Sequence, residues 1–214
     1  MRRVALAKTT DRPACVILAA GDFPHGTVAR ALLDGAAEVI CCDGAAEALC
    51  AAGYTPSAVV GDLDSLSDAL RERLADRLHH RPDQDVNDLW KALSYALERG
   101  FNEITVLGGF GQREDHSIGN LALLAARSRE AQLRLVGDHG MFDFIDEPTA
   151  FESFAGEQVS LFCLAPQTTI AVRGLRYEPP QNHLAGLWQG VSNESCGEEF
   201  TIECDGPTIV YRKF

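Results

Sequence analysis

No apolar run in the 214 residues approaches the roughly 20 needed to cross a bilayer as a helix, so no membrane partner is expected. Positive charge is scarce as well. Nineteen Lys and Arg against 31 Asp and Glu leave a formal net charge of −12, which argues against nonspecific attraction to nucleic acid or anionic lipid. Small phosphorylated ligands stay open, because cations can bridge them to carboxylates. The seven cysteines are odd in number and include no C-x-x-C pair, which leaves neither a disulfide framework nor a zinc site to read. Most lie in apolar runs, where cysteine acts as a small buried hydrophobe of a reduced compartment. The N-terminal stretch lacks the unbroken apolar segment of a signal peptide, since Lys8, Asp11, Arg12 and Pro13 interrupt it. A cytoplasmic location is expected. There is no internal repeat and no low-complexity tract.

What is present falls into two grammars. Up to about residue 137, short β-branched runs alternate with longer Ala/Leu-rich stretches. ACVILAAG (14–21), EVICCDG (38–44), AVVGDLDS (58–65), EITVLGG (103–109) and LRLVG (133–137) are predicted strands. The helical patterns between them are GTVARALLDGA, AAEALCAAGY, LSDALRERLADRL, NDLWKALSYALERG and HSIGNLALLAARSRE. This repetition predicts an α/β fold over residues 1–138, a mostly parallel sheet flanked by helices. Such sheets bind ligands beyond the carboxyl ends of their strands. Asp22, Asp43, Asp62, Asp64 and the segment after Gly108 all fall there. After residue 140 the runs MFDFI, QVSLFCL, TTIAV, EFTIE and TIVYRKF are short and alternating. They predict a smaller antiparallel β-sandwich over residues 139–214, with the hinge near Gly137–Gly140.

The acids carry the chemistry. In VVGDLDSL (59–66), Asp62 and Asp64 are one residue apart, so extended backbone would point both carboxylates the same way. Like charges at that spacing repel unless solvent or a cation lies between them. In DQDVNDLWKAL (83–93), Asp83, Asp85 and Asp88 crowd the start of a helix. They read either as ordinary helix-terminal acids, with Gln84 and Lys91 as surface residues, or as part of a site. In LGGFGQREDHSIGNLALL (107–124), Gly108, Gly109 and Gly111 follow a strand, and Arg113 precedes a helix. Backbone N–H groups in such a turn approach phosphate closely, and a guanidinium adds a forked contact. Asp115 and His116 read equally as caps of that helix. Oxygen donors with few histidines suit Mg²⁺ bridging a polyphosphate better than zinc. The residues alone therefore point to a Mg²⁺-dependent nucleotide enzyme.

The ordered motifs resemble the thiamine pyrophosphokinase family over nearly the whole chain. CCDGAAEAL resembles its D-G-[GA]-[AC]-N motif, with Asp43 and Gly44 in place and Ala46 for asparagine. VVGDLDSL matches G-D-x-D-S. PDQDVNDLWKAL matches P-x-x-Q-[DN]-x-T-D-x-x-K-A-[LI], with Gln84, Asp85, Asp88 and Lys91 aligned and Asn87 for threonine. GGFGQREDHSIGNLALL resembles G-x-x-G-G-R-x-D-H-x-x-x-N-x-x-L-L, with Arg113, Asp115, His116 and Asn120 aligned and Gln112 for a glycine. VSLFCL, with Cys163 for proline, GLRYEPPQNHL and GVSNES resemble segments of its second half.

The resemblance implies transfer of the pyrophosphoryl group of ATP to the thiamine hydroxyl, giving thiamine diphosphate and AMP. It implies Mg²⁺ on Asp62, Asp64 and Asp88, with Asp43 a fourth candidate. It assigns Arg113 to the phosphates, making Asp62, Asp64, Asp88 and Arg113 the catalytic set. ATP contacts would also come from Asp43, Gly44, Lys91, Gly109, Gly111, Asp115, His116 and Asn120. Gln84, Tyr177, Ser192 and Asn193 would bind thiamine, with Tyr177 facing its cationic ring. The resemblance further implies a homodimer with thiamine at the subunit interface. Three other readings fit parts of the pattern: a pyrophosphokinase for another hydroxymethyl heterocycle such as a pterin, a Mg²⁺ phosphohydrolase, and a phospho-receiver domain. A receiver would lack both the glycine–arginine turn and the β-domain.

Overall fold

Cys15–Leu18, Ala58–Gly61 and most of Glu38–Cys42 are buried at every position, the mark of parallel strands covered on both faces. The computed structural model describes all 214 residues. In chain order its elements are β1 (Arg2–Val4), β2 (Cys15–Leu18), α1 (Thr27–Gly35), β3 (Glu38–Cys42), α2 (Ala45–Ala51), β4 (Ala58–Gly61), α3 (Asp68–Arg73), β5 (Leu78–His80), α4 (Asp88–Glu98) and β6 (Glu103–Leu107). There follow α5 (Glu114–Ala126), β7 (Gln132–Val136), β8 (Gly140–Ile145), β9 (Thr149–Glu152), β10 (Gln158–Cys163), β11 (Ile170–Arg173), β12 (Asn193–Glu194), β13 (Glu199–Cys204) and β14 (Thr208–Lys213). The chain divides into two units.

The first unit takes in Lys8–Asn120 and Leu135–Asp138. Its strands run in the order β6-β2-β3-β4-β5, all parallel. Helix α4 packs its buried Leu89, Ala92, Leu93 and Ala96 against β2, β3 and β4. It starts where Asn87 accepts a hydrogen bond from the Trp90 N–H at 2.9 Å, so the asparagine performs the capping expected of threonine there. Ser67 caps α3 in the same way through the Leu70 N–H. Ala46 is wholly buried in the first turn of α2 and serves packing. Strand β5 was not expected from the sequence. Its three residues are half-buried or exposed, and they lie at the edge of the sheet, where no alternation is imposed.

The second unit takes in Met1–Ala7, Leu121–Arg134 and His139–Phe214. Two four-stranded layers, β12-β10-β14-β8 and β1-β9-β13-β11, enclose a core that includes Val4, Ile145, Phe151, Leu161, Phe200 and Ile202. Phe151 stacks on Phe200 with ring centroids 4.9 Å apart. All pairings within these layers are antiparallel except β1 with β9. The compact units do not follow a single cut at residue 138: Met1–Ala7, which holds β1, and Leu121–Arg134 both group with the sandwich. Three residues carry too little pattern to be read as a strand, and only pairing to β9 makes them one.

Candidate active site

Parallel pairing sets Cys42 of β3 beside Val60 of β4, so the residues just past the two strand ends emerge together. These are Asp43 and, after Gly61, Asp62. A methyl group on Gly61 would lie 2.6 Å from the Asp43 Cβ and 3.3 Å from Asp88 Oδ1, so only glycine lets the carboxylates close up. The chain then turns at Leu63, whose φ of 66° is left-handed. That geometry corrects the extended reading of residues 62–64: Asp64 converges on Asp62 because the backbone folds back, not because it alternates. Asp64 N–H donates to Asp62 Oδ1 at 3.4 Å. A bulky residue at positive φ costs on the order of 1–3 kcal/mol and persists only where its surroundings impose it. Here Leu63 is buried, and the Arg71 guanidinium donates to the Leu63 and Leu66 carbonyls from α3.

The outcome is three carboxylates, Asp43, Asp62 and Asp64, each offering an oxygen within 4.8 Å of the others. Asp43 is wholly buried; its Oδ2 accepts from the Ser65 N–H at 3.2 Å while its Oδ1 has no partner. Burial pushes its carboxyl up to about 6; the Ser65 N–H opposes this, while the side-chain approach of Asp62 and the charges of Asp88 and Asp62 add to it. Asp62 is held below its ordinary value, chiefly by the Gln84 amide at 3.0 Å. Asp88 is not one of the three. Its Oδ1 lies 3.0 Å from Lys91 Nζ, which is also 3.9 Å from Asp62. Lys91 is therefore a buried counter-ion of the acids rather than a surface residue. Asp83 and Asp85 are exposed, with the Asp85 N–H on Asp83 Oδ1, and form a solvated turn. Four clustered aspartates face a single lysine, one acid oxygen is buried and unpaired, and every donor is a hard oxygen. That set fits a divalent cation such as Mg²⁺.

The glycine-rich turn follows β6. Gly108 (φ 65°) and Gly111 (φ 83°) are left-handed, and a methyl on Gly108 would lie 2.6 Å from the Ala19 carbonyl oxygen. A methyl on Gly109 would lie 2.5 Å from Leu135, whereas one on Gly44, the residue before α2, would make ordinary contact with Ala20 and Ser65. Arg113 Nε and Nη2 donate to the two Asp115 oxygens at 3.1 and 2.6 Å, which leaves Nη1 of this exposed guanidinium for another anion. The same fork lowers the Asp115 carboxyl to about 2. Asn120 is buried, and its amide donates to the Gly109 carbonyl at 3.0 Å, pinning α5 to the turn. His116 is exposed.

In the sandwich unit, Tyr177, Ser192 and Asn193 line a cleft of about 200 Å³ with Glu178, Gln189 and Leu161. Asn193 is buried and pairs with both backbone groups of Tyr177, at 3.1 and 2.7 Å. The Tyr177 ring is left largely exposed, with the Arg176 guanidinium 5.7 Å from its centroid. Ser192 is left-handed (φ 61°), and its N–H donates to Ser160 Oγ at 3.2 Å. Sequence reasoning missed Arg71, which shapes the Asp62–Leu66 turn and has no spacing signal; Ser67, the cap of α3, is the nearest local cue. Ser65, whose N–H meets Asp43, stands in the sequence only as the last residue of G-D-x-D-S, with no role given to it.

Two family models match the chain: the thiamin pyrophosphokinase catalytic domain over residues 29–136 and the thiamin pyrophosphokinase substrate-binding domain over residues 140–211. Among curated relatives, thiamine pyrophosphokinase of Bacillus subtilis (strain 168) is 39% identical over 77 residues, 34% of this chain and 36% of the relative. Thiamine pyrophosphokinase 1 of Oryza sativa subsp. japonica is 32% identical over 170 residues, 70% of this chain and 62% of the relative. These alignments thus span from about a third to under two thirds of the relatives' lengths. The solved structure of the Bacillus subtilis protein superposes with a TM-score of 0.76 at 22% identity, covering 93% of this chain and 98% of that one, and so shares the fold. No helix is long and apolar enough to cross a membrane.

Proposed function

This chain belongs to the thiamin pyrophosphokinase family, and we propose that it transfers the diphosphoryl group of ATP to the hydroxyl of thiamine, yielding thiamine diphosphate and AMP. The observation that carries this reading is the convergence of Asp43, Asp62 and Asp64 around a buried, unpaired carboxylate oxygen. In the proposed reaction the thiamine hydroxyl gives up its proton to solvent as its oxygen bonds to the β-phosphorus, the bond from that phosphorus to the α-phosphate oxygen breaks, and AMP departs with that oxygen. Transfer of this kind depends on positioning and charge neutralisation more than on covalent chemistry by the protein. Mg²⁺ held by Asp43, Asp62 and Asp64 would neutralise the triphosphate when bound. Lys91 places its charge beside Asp88 and Asp62, 3.0 and 3.9 Å away. Asp115 fixes the plane of Arg113, and Arg113 Nη1 meets a phosphate oxygen. Gln84 holds Asp62 through its amide nitrogen, which also donates to the Pro82 carbonyl at 3.4 Å, and offers its side-chain carbonyl to the thiamine pyrimidine.

Incubation with ATP, Mg²⁺ and thiamine, followed by separation of the nucleotides, tests the reaction. AMP forming in step with thiamine diphosphate is expected; ADP or free phosphate without thiamine diphosphate would sink it. Thiamine specificity is assigned to the Tyr177 cleft, where a cationic ring stacked on the open face of Tyr177 gains about 0.5–2 kcal/mol. Tyr177→Ala is therefore expected to raise the KM for thiamine about 2- to 30-fold and leave that for ATP unchanged. An unaltered thiamine KM would move the aromatic contact elsewhere. Homodimerisation belongs to the same proposal and is tested by the solution mass from light scattering.

A further inference from the structure

Two segments just beyond strand ends are joined along a seam. The Ala19 N–H donates to the Leu107 carbonyl at 2.8 Å, that of Gly21 to Gly108 at 2.8 Å, and that of Asp22 to Phe110 at 2.7 Å. The seam is tight. A methyl on Gly21 would lie 2.1 Å from the Phe110 oxygen, and one on Gly111 would lie 2.0 Å from the Asp22 carboxylate. Backbone pairing ends at Phe110, and the chain then reverses through two left-handed residues, Gly111 (φ 83°) and Gln112 (φ 59°). Glycine takes that conformation freely; glutamine does not. The glutamine side chain compensates. Its Nε2 donates to the Gly21 carbonyl at 3.1 Å and so extends the seam two residues past its last backbone bond. Arg113 comes next. Its N–H donates to the Gly111 carbonyl at 2.6 Å, and its guanidinium is forked onto Asp115.

We propose that Gln112 is a positioning residue: its amide straps the 108–112 turn to the 19–22 segment and so fixes Arg113 for a phosphate of the nucleotide. This rests on the ATP reading above. Without the strap, no hydrogen bond beyond Phe110 ties the left-handed turn to the 19–22 segment, and Arg113 is placed only by α5, through the Asp115 fork and the Ser117 N–H and hydroxyl on its carbonyl. Gln112 touches no reacting atom in this scheme. Its effect is on nucleotide affinity, not on the acid cluster or the Tyr177 cleft.

Two variants of the intact chain test it. Gln112→Glu keeps the shape but has no hydrogen to donate to the Gly21 carbonyl. Gln112→Gly loses the strap yet removes the left-handed penalty, so it is not expected to unfold the turn. MgATP affinity is measured by titration calorimetry, and KM values for ATP and thiamine by product formation. Both variants are expected to bind MgATP about fivefold more weakly, the worth of one hydrogen bond, with the thiamine KM unchanged. Wild-type MgATP affinity in both variants would overturn the proposal. So would a defect confined to Gln112→Glu, which would be a charge effect, or a thiamine KM that rises in parallel. Failure of the unaltered protein to bind MgATP at all would instead overturn the ATP reading beneath it, and the strap's role with it.

Discussion

Asp64→Asn is expected to lower kcat/KM by about a thousandfold while leaving the protein folded, because the change removes one charge from the proposed cation site and nothing from the core. Asp64 is exposed, and its contacts are local: its N–H on Asp62 and one oxygen taking the Ser65 hydroxyl at 3.1 Å. Surface changes of this kind move stability by no more than about 0.5 kcal/mol. The sign of even that small change is informative. Without a cation, Asp62 and Asp64 repel each other and Asp43, so the asparagine relieves repulsion and the melting temperature should hold or rise. With Mg²⁺ added, wild type should gain stability by mass action, and the variant should gain less. A calorimetric scan with and without Mg²⁺ thus reads the site independently of turnover. Near-wild-type activity together with an undiminished Mg²⁺ response would remove the metal assignment.

Asp143→Ala is expected to destabilise the sandwich unit by about 3–5 kcal/mol, because it strands two guanidiniums in a buried site. Asp143 and Arg212 are 1% and 0% exposed. Arg134 Nε meets one Asp143 oxygen at 2.7 Å, and Arg212 Nη2 and Nε meet the other at 2.7 and 3.2 Å. Both arginines also donate to the Ala5 carbonyl, at 2.6 and 3.1 Å, and Arg212 donates to that of Glu152 at 2.8 Å. The same cluster therefore holds the N-terminal segment of this unit in place. Swapping a whole buried ion pair for apolar groups is often tolerated; removing one partner is not. In a scan the loss should appear as a fall of roughly 10–15 °C in melting temperature, and an unchanged melting temperature would show that the cluster stabilises nothing.

The same group sets a pH dependence. Burial alone would raise the Asp143 carboxyl, but Arg134 and Arg212 outweigh it and hold it below its ordinary value. A carboxyl depressed in the folded state contributes stability fully above its unfolded value of about 3.9, and loses it as pH falls from there through the folded value. Acid unfolding of wild type should show that loss below about pH 4, and Asp143→Ala should lack it.

Much of this protein is written in local pattern. The buried runs CVIL and AVVG and the i+4 recurrence of Leu89, Leu93 and Leu97 identify strands and a helix, because period and burial are properties of a few consecutive residues. Their alternation determines a parallel sheet, and with it the rim on which Asp43, Asp62 and the glycine turn stand. The change of pattern near residue 140 likewise marks the sandwich. Local pattern does not carry convergence. That Asp43 rather than Asp88 completes the acid triplet depends on the β3–β4 register and on the left-handed turn at Leu63. In sequence Lys91 reads either as a surface residue or, through the family resemblance, as an ATP contact; packing against the sheet buries it beside Asp88 and Asp62. Arg212 and Asp143 are 69 positions apart, and β1 meets β9 across nearly 150 residues. Such pairs form only when strands far apart in the chain take up one register, and no window of sequence contains both partners.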